Sequence, residues 1–362
     1  MKNFDFQIAD KSPLHEPLRP ADTDDWGVAD FEQDDSQDFG DFGPDFMPDF
    51  MTEADAYSLE DLLRLVQIGD DSCIDRDQIE FLSDEEALIW GLSYLSETTL
   101  GRAMAFDARF EDWALEVDDI EAGTPAINSQ LRILIMPRGT PSLRLLSQTP
   151  HYRAQFLVNL ARGLRMIWQD MNGIRTRNDM PVDDQILLER LRRADQDVMM
   201  LRMAWDLRDS DGGTLWRQLI ADDMDDLVTL AAGLWAEETT APDTLDTLAS
   251  SLLPVFQLWL GSDNLLNQVD ARTLDDIDNR LQRGITNVCG TQLLRPSDIL
   301  ALGRLPNNRG SYLAPLSRSI LYAEDMRRMP DQMLESHLRQ IIEDCGYVFA
   351  APLVFNDLSL QE

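Results

Sequence analysis

Histidine and cysteine are scarce in this 362-residue chain, at three residues each, and Lys and Arg are outnumbered, 31 against 66 Asp and Glu. Each shortage excludes a class of function. Cys73, Cys289 and Cys345 stand far apart in no paired spacing, so neither a disulfide framework nor a cysteine zinc site is signalled. With only His15, His151 and His337 available, a Ser–His or Cys–His nucleophile pair has almost no candidates. A formal net charge of −35, without a basic patch, repels phosphate backbones and acidic lipid, so neither nucleic acid nor membrane is an expected partner. The most apolar stretch, Leu248 to Gly261, is shorter than the roughly 20 residues of a membrane span and contains Pro254. The opening MKNFDFQIADKSPLHEP lacks the apolar core of a secretory signal. A GxxxxGK phosphate loop and a GxSxG elbow are also missing. The expectation is a cytoplasmic protein with reduced thiols and no cofactor.

A hydrophobic content of 44% over this length is enough for a sizeable core, in two or three compact units plus tails. Residues 1 to 57 hold 16 acids against three bases, without helical or strand period, and read as a disordered tail. Within it Asp-Phe recurs, placing Phe39, Phe42, Phe46 and Phe50 each behind an aspartate. The repeat is either a low-complexity linker or a partner-binding motif, because flanking acids keep the aromatics accessible until a groove takes them. Its DFG triplets are no kinase signal, since the rest of that motif set is missing.

From Tyr57 the period becomes helical. A short helix ends at Gly69, and one or two helices open at Ser83 or Asp84. Strand candidates Trp113 to Ile120 and Leu131 to Pro137 follow, separated by a turn-rich segment. Helices are then predicted from about His151 to Met171, Pro181 to Arg208, Thr214 to Glu237, Thr244 to Leu260, Thr273 to Arg283, Arg295 to Leu302 and Asp331 to Cys345. This is a mainly α chain with a small β-sheet or hairpin, divided into a core over 58–235 and a helical C-terminal region over 236–362. The Trp and Met residues Met199, Met200, Met203, Trp205, Trp216 and Trp235 fall at helical spacings and read as core. The acid-rich DDMDD (222–226) reads as a solvated helix face.

The segment FLVNLARGLRMIWQD (Phe156 to Asp170) has two unlike faces. Leu157, Leu160, Leu164, Ile167 and Met171 form an apolar stripe, while Gln155, Asn159, Arg162, Gly163, Gln169 and Asp170 share the other side with Met166. Zinc peptidases of the zincin type place two His at i and i+4 on such a face, with a Glu between them as general base. The stretch ARGLRMIWQD resembles the active-site helix of a bacterial family of metallopeptidase-like proteins of unknown function, whose pattern reads roughly His-Glu-Leu-Arg-His-x-Trp-Gln. Leu164, Arg165, Trp168 and Gln169 agree with it. The segment from Arg192 to Leu219 resembles the family's next helix, which implies that Asp195 or Asp197 is the remnant of an acidic third ligand, and Leu302 to Ala314 is also similar. The resemblance spans about residues 85 to 320 and implies a zincin-like helical domain.

The departures from that pattern carry the functional reading. Arg162, Gly163 and Met166 stand where the first His, the Glu and the second His belong. Arg162 has no lone pair and repels a cation, Gly163 offers no base, and Met166 offers a soft thioether. The resemblance therefore implies a metal-free pseudo-peptidase that binds a peptide or protein, with Arg162 as an anion contact on the wall of the old cleft. An acidic helical adaptor working through the Asp-Phe tail is the alternative, and an active hydrolase using Asp195, Asp197 and other acids around a harder metal such as magnesium or manganese is a third. Gly163 also bears a structural reading, since a mid-helix glycine costs about 1 kcal/mol relative to Ala unless close packing requires it.

Overall fold

The computed structural model describes residues 56–68, 80–118, 123–140, 142–175, 177–209, 213–221, 224–236, 245–283, 290–306, 310–323 and 326–345. The chain divides into two units, Met1–Met51 and Thr52–Glu362. The first lies wholly outside the described residues, as do the expected tail's Phe39, Phe42, Phe46 and Phe50, together with His15, Cys73, Cys289, Asp222 and Asp223.

Among the described residues the fold is mainly helical with one small mixed sheet. In chain order the elements are β1 (Tyr57–Ser58), α1 (Leu59–Ile68), α2 (Asp84–Leu95), α3 (Thr99–Arg109), β2 (Ala114–Asp118), β3 (Ala126–Asn128), β4 (Ile133–Pro137), α4 (Leu143–Gln148), α5 (Pro150–Met171) and α6 (Val182–Leu207). They continue with α7 (Thr214–Ala221), α8 (Asp225–Ala236), α9 (Leu245–Leu260), α10 (Asp263–Gln282), α11 (Pro296–Leu302), α12 (Ser319–Tyr322) and α13 (Gln332–Asp344). Local chemistry sets several starts. Ser83, Thr98 and Ser142 accept hydrogen bonds from the backbone N–H three residues on, and Asp331 accepts from those of Met333 and Leu334. Pro150 opens α5 at a position where its missing N–H has no helical use.

The two strands expected around the turn-rich segment do not form a hairpin with each other. β2 and β4 run parallel, with Leu115 opposite Leu134, because the three-residue β3 takes the antiparallel place beside β4, and the sheet order is β1-β2-β4-β3. The β3–β4 turn is closed by Asn128, whose side-chain oxygen accepts from the N–H groups of Gln130 and Leu131, both at 3.1 Å. The helix predicted over 214–237 is two, α7 and α8. The helix predicted from Thr273 starts ten residues earlier, at Asp263, because its polar N-terminal half hides the apolar pattern.

α5 and α6 are the spine. Positions 162, 165 and 169 on α5 bond to 197, 195 and 192 on α6, so one index rises as the other falls and the helices run antiparallel. Leu157, Leu160, Leu164 and Ile167 are buried as the stripe requires, and Met199, Met200, Met203, Trp205 and Trp235 lie in the core with Trp216 packed partly buried against it. That core is continuous across position 236, since Trp235 shares it with Leu252, Val255, Phe256 and Trp259 of α9. Pro254 sits inside α9, where a proline costs about 3 kcal/mol or more, and the burial of those four side chains offsets it. A smaller apolar cluster joins α6, α10 and α13 through Ile186, Leu274, Ile277 and Ile341. No helix among the described residues is long and apolar enough to cross a membrane.

Candidate functional site

The polar face of α5 is an internal seam over much of its length and opens onto a cavity at Arg162. Asn159, Gln169 and Asp170 are buried, and the fully buried Arg165 organises a network between α5 and α6. Its Nε and Nη2 donate to Asp195 at 2.7 and 2.9 Å, and Nη2 also donates to the carbonyls of Leu302 and Arg304 at 2.8 and 3.0 Å. Asp195 accepts further bonds from Gln169 Nε2 at 2.7 Å and Tyr312 Oη at 2.8 Å. Burial, then the Asp195 charge, push the Tyr312 phenol well above its ordinary pKa, so it stays protonated and donates. Trp168 Nε1 donates to the same Arg304 carbonyl at 3.1 Å. Leu164, Arg165, Trp168 and Gln169, the residues that match the peptidase pattern, thus serve packing and the seam between α5, α6 and the 302–312 segment.

The positions that depart from the pattern separate in space. Gly163 faces the sheet: a Cβ placed there would lie 2.5 Å from Leu134 Cδ2, inside any permitted contact, so the glycine lets α5 pack onto β4. Met166 is half-buried and is not among the residues lining the cavity onto which Arg162 opens. Arg162 donates through Nε to Asp197 at 2.7 Å, with its side chain 12% exposed. Asp197 also accepts from Arg193 Nε at 3.2 Å and from Trp259 Nε1 at 3.0 Å. Burial raises the Asp197 pKa, but Arg162 first, then Arg193 and the Trp259 hydrogen bond, outweigh it and hold the carboxyl below its usual value. Burial, the Arg162 charge and Arg272 push Arg193 down to about 10 against the pull of Asp197, so it remains charged at neutral pH.

Asp195 and Asp197 therefore do not converge on a common point. Each is engaged by guanidinium groups, which leaves these two carboxylates poorly suited to serve as ligands of the acid-only metal site considered from sequence. Among the described residues no three His, Cys, Asp or Glu side chains come together in a way that could hold a metal ion. Around Arg162 lies a cavity of about 410 Å³ bounded by Arg193 and Asp197 of α6, Met224 before α8, Trp259 of α9, and Leu265 and Gln268 of α10. Sequence reasoning found Arg162 and Asp197 through the peptidase pattern but missed Arg193 and Gln268. The i,i+4 spacing of Arg193 and Asp197 was a usable signal for the first; nothing local marks the second.

Comparison of the chain with sequence-family models, curated proteins and solved structures finds no match.

Proposed function

We propose that this chain is a catalytically inactive, zincin-like protein that binds a peptide or protein partner through an acidic group received at Arg162. The observation that carries the reading is a cationic side chain, ion-paired to Asp197, on an open cavity at the position where the peptidase pattern requires its first metal ligand. Among the described residues neither a base nor a ligand set accompanies it, since Gly163 is turned to the sheet and Asp195 is committed to Arg165. In a chain of net charge −35, cationic groups lining a cavity are complementary to an acidic ligand.

The test is selection of a random displayed-peptide library on the immobilised full-length protein. Acidic sequences are expected to be enriched, and Arg162→Glu is expected to abolish the enrichment. Enrichment that survives Arg162→Glu, or release of cleaved peptides in the presence of zinc, manganese or magnesium, would overturn the reading.

A further inference from the structure

The cavity at Arg162 holds two arginines that are oriented by a single carboxylate. Arg162 and Arg193 both donate to Asp197 through Nε, the guanidinium nitrogen nearest the stem, each to a different carboxylate oxygen. Trp259 fixes the carboxylate from a third direction with its own N–H. Among the described residues the terminal amino groups of the two arginines find little to bind. Arg162 Nη2 has the Met224 thioether at 3.6 Å, a weak acceptor, and among the described residues Asp197 is the carboxylate that pairs with either arginine. Among the described residues two guanidinium charges at the cavity wall share one carboxylate, and the exposed Arg272 of α10 is close enough to act on Arg193 as a further positive charge.

We propose that Arg162 and Arg193 form a clamp for a phosphoryl group, with Asp197 as the positioning residue that holds the two guanidinium groups apart. The proposal rests on the reading of this cavity as a binding site and narrows its ligand. A carboxylate brings two oxygens and one charge, which a single arginine satisfies bidentately. A phosphoryl group brings three acceptor oxygens and a charge of about −1.5 to −2 at neutral pH, which suits two separate guanidinium groups beside a further positive charge. About 410 Å³ accommodates the phosphoryl group and the atoms that carry it, and Gln268 adds an amide at the exposed rim.

Isothermal titration of the full chain with inorganic phosphate, with acetate and with a phosphoserine peptide flanked by glycines, at constant ionic strength, tests the clamp. Phosphate is expected to bind at least tenfold tighter than acetate. Gln268→Glu places a carboxylate at the rim without disturbing the buried pairs, and is expected to weaken phosphate at least tenfold while the melting temperature holds. Arg193→Gln is expected to weaken phosphate to a similar extent at some cost in melting temperature, because it also removes a partner of Asp197, with Arg193→Lys restoring part of the affinity. A phosphopeptide that binds tighter than phosphate identifies a modified partner as the source, and equal affinities identify the free anion; either supports the clamp. Acetate binding as well as phosphate would overturn the clamp while the peptide selection above keeps the broader reading. Phosphate binding that is absent, or unaffected by Gln268→Glu and Arg193→Gln, would overturn the clamp as well.

Discussion

At the scale of single residues, Gly163 exchanges helix propensity for proximity. Alanine is better than glycine in a helix by about 1 kcal/mol, yet a Cβ at this position meets Leu134 in a filled core, and overpacking costs about 1–3 kcal/mol. Gly163→Ala is expected to lower the urea midpoint, and Leu134→Val, which trims the opposing side chain, is expected to recover part of the loss when combined with it. Additive losses in that double mutant would place the strain elsewhere. Asp195 is a second decisive residue. Asp195→Asn leaves Arg165 charged and buried without its counter-ion, and a loss of about 3–5 kcal/mol in urea unfolding is expected. Tyr312→Phe removes one bond to the same carboxylate and is expected to cost only about 1 kcal/mol. Asp197 sets a pH dependence. Its folded pKa is depressed, so its contribution is fully present above the unfolded value of about 3.9 and is lost as pH falls through the lower, folded value. Asp197→Asn is therefore expected to flatten the acid limb of stability below about pH 4, followed by urea unfolding at successive pH values. An unchanged limb would show that other carboxylates govern it.

At the scale of elements, α5 shows what could and could not be read from sequence. Its apolar stripe, its start at Pro150 and its place before a second long helix follow from periodicity and local chemistry, and the structure places Pro150–Met171 and Val182–Leu207 close to the predicted spans. Its polar side was less legible. Polarity at Gln169 and Asp170 suggests solvent, and only the partners supplied by Asp195, Ser129 and Arg175 make a buried seam of it. The parallel pairing of β2 with β4 was hidden for a related reason: it depends on a three-residue strand too short to carry a period. The pair of Arg190 and Asp270 belongs to this scale too. Arg190 joins α6 to Asp270 of α10 by two bonds of 2.6 Å, and donates to the Met326 and Arg328 carbonyls at 2.6 and 3.2 Å. Arg190→Met is expected to speed amide hydrogen exchange in α13 more than in α5, because α10 and the segment before α13 lose their common anchor. Equal acceleration in both helices would mean that the anchor is not local.

At the scale of the whole molecule, the same device appears twice. Arg165 with Asp195 and Arg190 with Asp270 each use a bidentate ion pair for charge, and spend leftover N–H groups on carbonyls of a distant C-terminal segment, at 302–304 and at 326–328. Negative charge far from zero repels itself in a compact chain, so a protein of net charge −35 gains from salt, and its melting temperature is expected to rise as sodium chloride is added from low ionic strength. The buried pairs are screened far less than the surface and do not oppose that trend. They do impose a timetable on synthesis. The carbonyl of Arg328 lies 138 residues beyond Arg190, which at about 5–20 residues per second is about 7–28 s of translation. Until then the Arg190 guanidinium lacks the two carbonyls that receive it in the folded chain. The antiparallel pair of α5 and α6 is therefore expected to reach its final packing only after residues 326–328 have been made, late in the synthesis of the elements it organises.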